Sequence, residues 1–137
     1  MVKIIATEEI EELRSKLNFP VQQMHIAVRA QFRCEYCGKN LLESVDAYDS
    51  WQIDHIIPRN DDPENEDIEN KALTCKTCNF AKRHSATEAL LNCTSRQERI
   101  DEARKIVWDR RAQKEVTLMK VRELAHLLLA NASAKNV

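Results

Sequence analysis

Apolar residues recur along this chain at two periods. Near the N-terminus, Thr7 followed by Glu8 and Glu9 reads as a helix cap with acids in the first turn, opening a short helix over 8–17. Pro20 suits the first position of a second helix over about 20–31, with Val21, Met24, Val28 and Phe32 as a partial apolar face. The period then shortens. Trp51-Gln-Ile-Asp54 alternates apolar and polar residues as a strand does, and Pro58 with the polar stretch behind it ends the run. Lys71 to Thr74 reads as a second short strand, and Asn79 to His84 as a helix after it. Ser85-Ala-Thr-Glu88 and Ser95-Arg-Gln-Glu98 both match the capping box, which predicts helices over about 86–92 and 96–113. A last helix is expected over 115–130, with Leu118, Val121, Leu124, Ala125 and Leu128 at helical spacing, and residues 132–137 as a frayed tail. The pattern is helices, a β-β-α unit, then helices again. That order predicts the α+β class.

Composition narrows this reading. A chain of 137 residues fits one domain over 1–137, with N-terminal helices over 7–31, a core over about 30–84 and a helical extension over 85–131. One glycine and three prolines argue against a turn-rich all-β fold. No apolar run approaches the ~18 residues of a membrane span, and the N-terminus lacks a signal-like apolar stretch. The expectation is a soluble, cytoplasmic protein of prokaryotic or phage type with no membrane partner. Five cysteines, an odd number, fit a reducing compartment better than a disulfide framework.

Net charge is −1, but it is unevenly spread. Residues 60–70 hold six acids and no base, whereas from Lys76 to Arg122 there are 12 Lys/Arg against 6 Asp/Glu. A basic half beside one acidic loop is compatible with phosphate binding, although charged helix faces are commonly just solvated.

The chemistry concentrates between two C-x-x-C pairs. Cys34, Cys37, Cys75 and Cys78 have the spacing of a four-thiolate zinc site, which favours structural Zn²⁺ over redox chemistry. Cys93 lies outside the clamp in an apolar run and reads as a buried structural thiol. Enclosed between the pairs is Trp51-Gln-Ile-Asp-His-Ile-Ile-Pro58, with a histidine next to a carboxylate. Glu35 and Tyr36 read as filler within the first knuckle, and His25 and His126 as ordinary helix-surface residues.

The set Cys34-x-x-Cys37, Asp54-His55-Ile-Ile-Pro58, Asn70 and Cys75-x-x-Cys78-Asn79-x-x-Lys82 resembles the HNH endonucleases of the ββα-metal (His-Me finger) group. The likeness spans about residues 30–84, and 70–82 is similar to the HNH domain of the RNA-guided CRISPR nuclease, which lacks the zinc cysteines. The resemblance implies a small ββα-metal core clamped by four cysteines and flanked by helices. It further implies His55 as general base, Asp54 and Asn79 as ligands of a catalytic divalent cation, and Asn70 as support for the His55 loop. Products with 5′-phosphate and 3′-hydroxyl ends follow from the same likeness. Many members carry histidine where Asn79 stands, so this is an H-N-N variant. His84 is a rival ligand almost half a helical turn away.

Chemistry agrees with those assignments. Phosphodiester hydrolysis needs a base for water and a cation for charge building on the phosphate. Imidazole titrates near neutrality, and Asp and Asn oxygens suit Mg²⁺ or Mn²⁺. Because neighbouring strand residues face opposite sides, Asp54 and His55 serve one phosphate only if the strand ends or twists between them. Lys82 is a candidate phosphate contact one turn beyond Asn79, with Arg59 and Arg83 as weaker ones. DNA is the expected substrate, with RNA still open. The rival reading is a non-catalytic zinc-finger module binding nucleic acid or protein. Leu127 to Leu129 extend past one helical stripe, which offers a surface for a protein partner or self-association.

Overall fold

The computed structural model describes residues 7–58, 67–83 and 85–135. Arg59, His84, most of the acidic loop and the last residues of the tail, all singled out above, lie outside these.

Two short strands form the centre. Strand β1 (Trp51–His55) pairs antiparallel with β2 (Lys71–Cys75), in a register that sets Asp54 opposite Ala72 and His55 opposite Lys71. Strand β2 is buried along its whole length, whereas β1 is mostly half-buried. Helix α4 (Lys76–Lys82) grows directly out of the end of β2 and packs on both strands, whereas α2 (Val21–Arg29) packs chiefly against β2. The result is mixed helix and sheet, as the pattern of periods predicts.

Helix α1 (Thr7–Lys16) precedes α2 and buries no residue. Pro20 stands one position before α2 as its cap, and the buried residues are Ile26 and Ala27, not the expected stripe: Val21 and Val28 are exposed. The true inward face is the one that meets β2, rotated from the expected stripe. Past Ala30, Gln31 and Phe32 take positive φ and the Phe32 amide donates to the Ala27 carbonyl, closing the helix end and turning the chain toward Cys34.

Helix α3 (Val45–Asp49) has no counterpart in the sequence reading. Ser44 caps it, its hydroxyl accepting from the Ala47 amide at 3.0 Å. Helix α5 (Glu88–Leu91) is capped by Thr87 rather than the Ser85 of the expected box.

The two expected C-terminal helices are one. Helix α6 runs unbroken from Arg96 to Lys135, 40 residues, or about 60 Å at ~1.5 Å per residue. Neither Gly nor Pro interrupts this stretch, and one side-chain bond bridges the expected break, from the Thr117 hydroxyl to the Gln113 carbonyl at 3.3 Å. Ser95 does start it, accepting from the Glu98 amide, while Glu98 accepts in turn from the Thr94 amide. The first turns lay Ile100, Ala103 and Val107 on a core shared with Ile26, Tyr36, Leu41, Ile56, Leu73 and Leu90. Farther out, Leu118, Val121, Leu124 and Leu128 are exposed. No helix among the described residues is long and apolar enough to cross a membrane.

Candidate functional site

The site is assembled from the two knuckles inward. In the first, the Gly38 amide donates to the Cys34 carbonyl and the Cys34 amide to the Lys39 carbonyl, folding the loop back over its own sulfurs. Gly38 takes φ +78°, a conformation that glycine adopts without a Cβ penalty. In the second, Cys75 caps α4, its sulfur accepting from the Cys78 amide at 3.4 Å. Knuckle one is bolted to β2 by Glu35, whose amide donates to the Leu73 carbonyl and whose carboxylate accepts from the Leu73 amide, both at 2.8 Å. The same carboxylate pairs with Arg96 of α6 at 2.6 Å. Glu35 is therefore a brace between sheet and helix.

These braces bring Cys34, Cys37, Cys75 and Cys78 together, with all four sulfurs within 4.8 Å of one another. A tetrahedron of Zn–S bonds of about 2.3 Å has its sulfurs ~3.8 Å apart, and Cys37 and Cys75 are 3.8 Å apart. The four cysteines could hold a zinc ion. Arg111 of α6 donates to the Cys78 sulfur at 3.3 Å, placing positive charge where thiolate charge gathers. Sulfur–sulfur hydrogen bonding, first with Cys34, pulls the Cys37 thiol down to about 6. Contacts with its three neighbours hold Cys75 well below the ordinary thiol range. The same sulfur contacts push Cys34 and Cys78 above the ordinary thiol range, so the four share their protons unequally; thiolate is the form that binds metal. Cys93 is only half-buried, its thiol donating to the Ala89 carbonyl at 3.2 Å.

From Cys75 the chain enters α4, and from there the β1 side chains are reached. Gln52 and Asp54 share one face of the strand, and both meet α4. The Asn79 amide nitrogen donates to the Gln52 side-chain oxygen, which turns the Asn79 oxygen away from that contact. The Asp54 carboxylate, 6% exposed, accepts from the Tyr36 hydroxyl at 2.6 Å and pairs with the Lys82 ammonium at 3.0 Å, both through Oδ2. The same ammonium donates to the His55 carbonyl at 3.0 Å. Burial pushes the Asp54 carboxyl above its ordinary range, with the Lys82 charge and the Tyr36 hydrogen bond pulling the other way. Burial also raises Tyr36 far above the usual phenol, so the hydroxyl keeps its proton and stays a donor.

Lys82 is thus fully buried, an internal counter-charge rather than an exposed phosphate contact. Tyr36, far from filler, is a buried donor to the candidate ligand. The strand ends at His55, one residue past the step at which an end or a twist is expected. Asp54 faces α4, and His55, half-buried, is the last residue of β1, where the chain leaves the strand. Asn70 closes a separate contact: its side chain accepts from the Ile57 amide at 2.9 Å and donates to the Ile57 carbonyl at 3.0 Å. Its own carbonyl accepts from the Ile56 amide at 2.8 Å, so one residue pins both positions after His55. Arg83 is exposed at the end of α4, its guanidinium 4.3 Å from the centre of the Phe80 ring.

The described ββα unit brings together four converging sulfurs, a histidine at the end of its first strand and an asparagine that pins the following loop. The family model described as HNH endonuclease matches residues 34–85, which takes in both knuckles, both strands and α4. No curated protein and no solved structure matches the chain.

Tyr36, Gln52 and Glu35 are the residues that sequence reasoning misses. Only Glu35 leaves a trace, as an acid placed between two cysteines of the cluster.

Proposed function

We propose that this chain is a metal-dependent endonuclease that hydrolyses phosphodiester bonds in DNA. The observation that carries the reading is the HNH match over 34–85 with His55 at the end of β1, ahead of backbone pinned by Asn70. In this reading the His55 imidazole takes a proton from water as the water oxygen attacks phosphorus. The P–O3′ bond breaks, and the leaving oxygen picks up a proton, giving 5′-phosphate and 3′-hydroxyl ends. Asn70 holds the backbone behind His55 so that the ring keeps one orientation. Lys82 steadies the same residue through its carbonyl. Asp54 and Asn79 would hold Mg²⁺ or Mn²⁺, two hard oxygen donors of the kind such ions take. Such an ion, when bound, supplies charge stabilisation for the phosphate and the leaving oxygen. The donor set fits, because Tyr36 and Lys82 engage only Oδ2 of Asp54 and Asn79 meets Gln52 through its nitrogen.

The experiment is plasmid cleavage with added Mg²⁺ or Mn²⁺. His55→Ala is expected to lower the rate by about 10²–10⁴-fold, the usual contribution of a general base, with zinc content unchanged. Parent-like cutting by that variant would sink the mechanism. One observation favours the rival reading of a non-catalytic binding module: Asp54 is buried and ion-paired within the protein. Metal-independent binding with no turnover on any nucleic acid would decide for that rival.

A further inference from the structure

A groove of about 960 Å³ lies between α4 and the middle of α6. Its walls carry Lys76 of α4, Arg83 just past the end of α4, and Arg110, Arg111 and Lys114 of α6, with Glu115 the one acid among the described lining residues. Two of these cations already have work inside the protein. Arg110 donates to the Ala81 and Lys82 carbonyls at the end of α4, and Arg111 to the Cys78 sulfur. Those bonds fix the two helices against each other and give the groove a rigid floor. Lys76, Arg83 and Lys114 are exposed along it. Phe80, 57% exposed, also lines the groove, and Arg83 lies over its ring. An exposed phenyl ring under a guanidinium is a flat platform of the kind on which bases stack, and cations along a groove are what a phosphate backbone meets.

We infer that this groove binds a single-stranded segment of nucleic acid, with phosphates along Lys76, Arg83 and Lys114 and a base against Phe80. The inference deepens the nuclease reading and rests on it for the identity of the ligand. Position supports it. Phe80 follows Asn79 in the same helix, so a strand in the groove passes within one helix width, about 10–12 Å, of the candidate site. Three of the five cations come from α6, beyond the family match at 34–85, so the groove joins the matched unit to this chain's helical extension. Charge decides the occupant: five cations against one acid select a polyanion, and the aromatic platform selects one that carries bases.

The test is fluorescence anisotropy with labelled single-stranded and duplex oligonucleotides, without added divalent ion, so that cleavage plays no part. The triple variant Lys76→Glu, Arg83→Glu, Lys114→Glu is expected to bind single strands at least tenfold more weakly. Its salt slope should fall by about 2, at ~0.7 for each of the three phosphates it no longer neutralises. Phe80→Ala is expected to weaken single-strand binding about tenfold and duplex binding little. Lys39→Glu, Lys120→Glu, Arg122→Glu makes the same change in net charge elsewhere and is expected to bind within about threefold of the parent. Parent-like binding by the groove variant, or an equal loss in the charge-matched control, overturns the inference, as does equal affinity for polyglutamate. If groove variants lose binding but the parent never cleaves, the groove stands and the nuclease reading falls. The reverse pattern separates them the other way.

Discussion

The two sides of α4 hold similar residues to opposite ends. Inward, Cys78 and Lys82 are fully buried and Asn79 meets Gln52; outward, Lys76, Phe80 and Arg83 lie exposed on the groove. Lys82 and Lys76 carry the same charge in the same seven-residue helix. One is an internal counter-ion for Asp54, the other is a surface cation. A lysine's chemistry is thus decided by which way its helix position points, and buried charge tolerates nothing short of a partner.

Predictions follow the contrast from inside to outside. Removing a metal held by the four cysteines would strike both sides, because the sulfurs join α4 to the first knuckle. Structural zinc sites contribute on the order of 10 kcal/mol or more, so chelation or Cys78→Ser is expected to unfold residues 34–85, which circular dichroism with zinc titration would register. Retained native signal without metal would show that packing alone holds the unit. Next comes Lys82→Met, which strands the Asp54 carboxylate and should cost about 3–5 kcal/mol in urea unfolding. Adding Asp54→Asn should restore much of that loss; a double variant no better than the single would disprove the pairing as its cause. Tyr36→Phe removes one buried hydrogen bond to a charged acceptor, expected to cost about 1.5–3 kcal/mol. The smallest effect belongs outside: Lys76→Met should stay within about 0.5 kcal/mol of the parent. If it destabilised as much as Lys82→Met, the two faces would not differ as described.

A similar divide runs along α6. Its first turns bury Ile100, Ala103 and Val107, while Leu118, Val121, Leu124 and Leu128 repeat the same apolar spacing in the open. Periodicity is therefore a sign of a helix and not of burial. It locates α6, but the change of composition near Lys114 mimics a helix end where there is none. A helix stops at Gly, Pro or a capping turn, and the stretch around Lys114 has no Gly or Pro.

Spacing along the chain is enough to identify the four cysteines that converge, both strands, the Ser95 cap and the family likeness, because each of these is a local arrangement readable within a few residues. Asn70 is legible for the same reason, through its place five residues before Cys75. What stays hidden depends on partners distant in sequence: Tyr36 on Asp54, Asn79 on Gln52, Glu35 on Arg96. Lys82 reads as a surface charge because nothing in its neighbours says which side of a helix will be covered. Only the packing of α4 over β1 decides that, since burial is set by what the rest of the chain brings alongside.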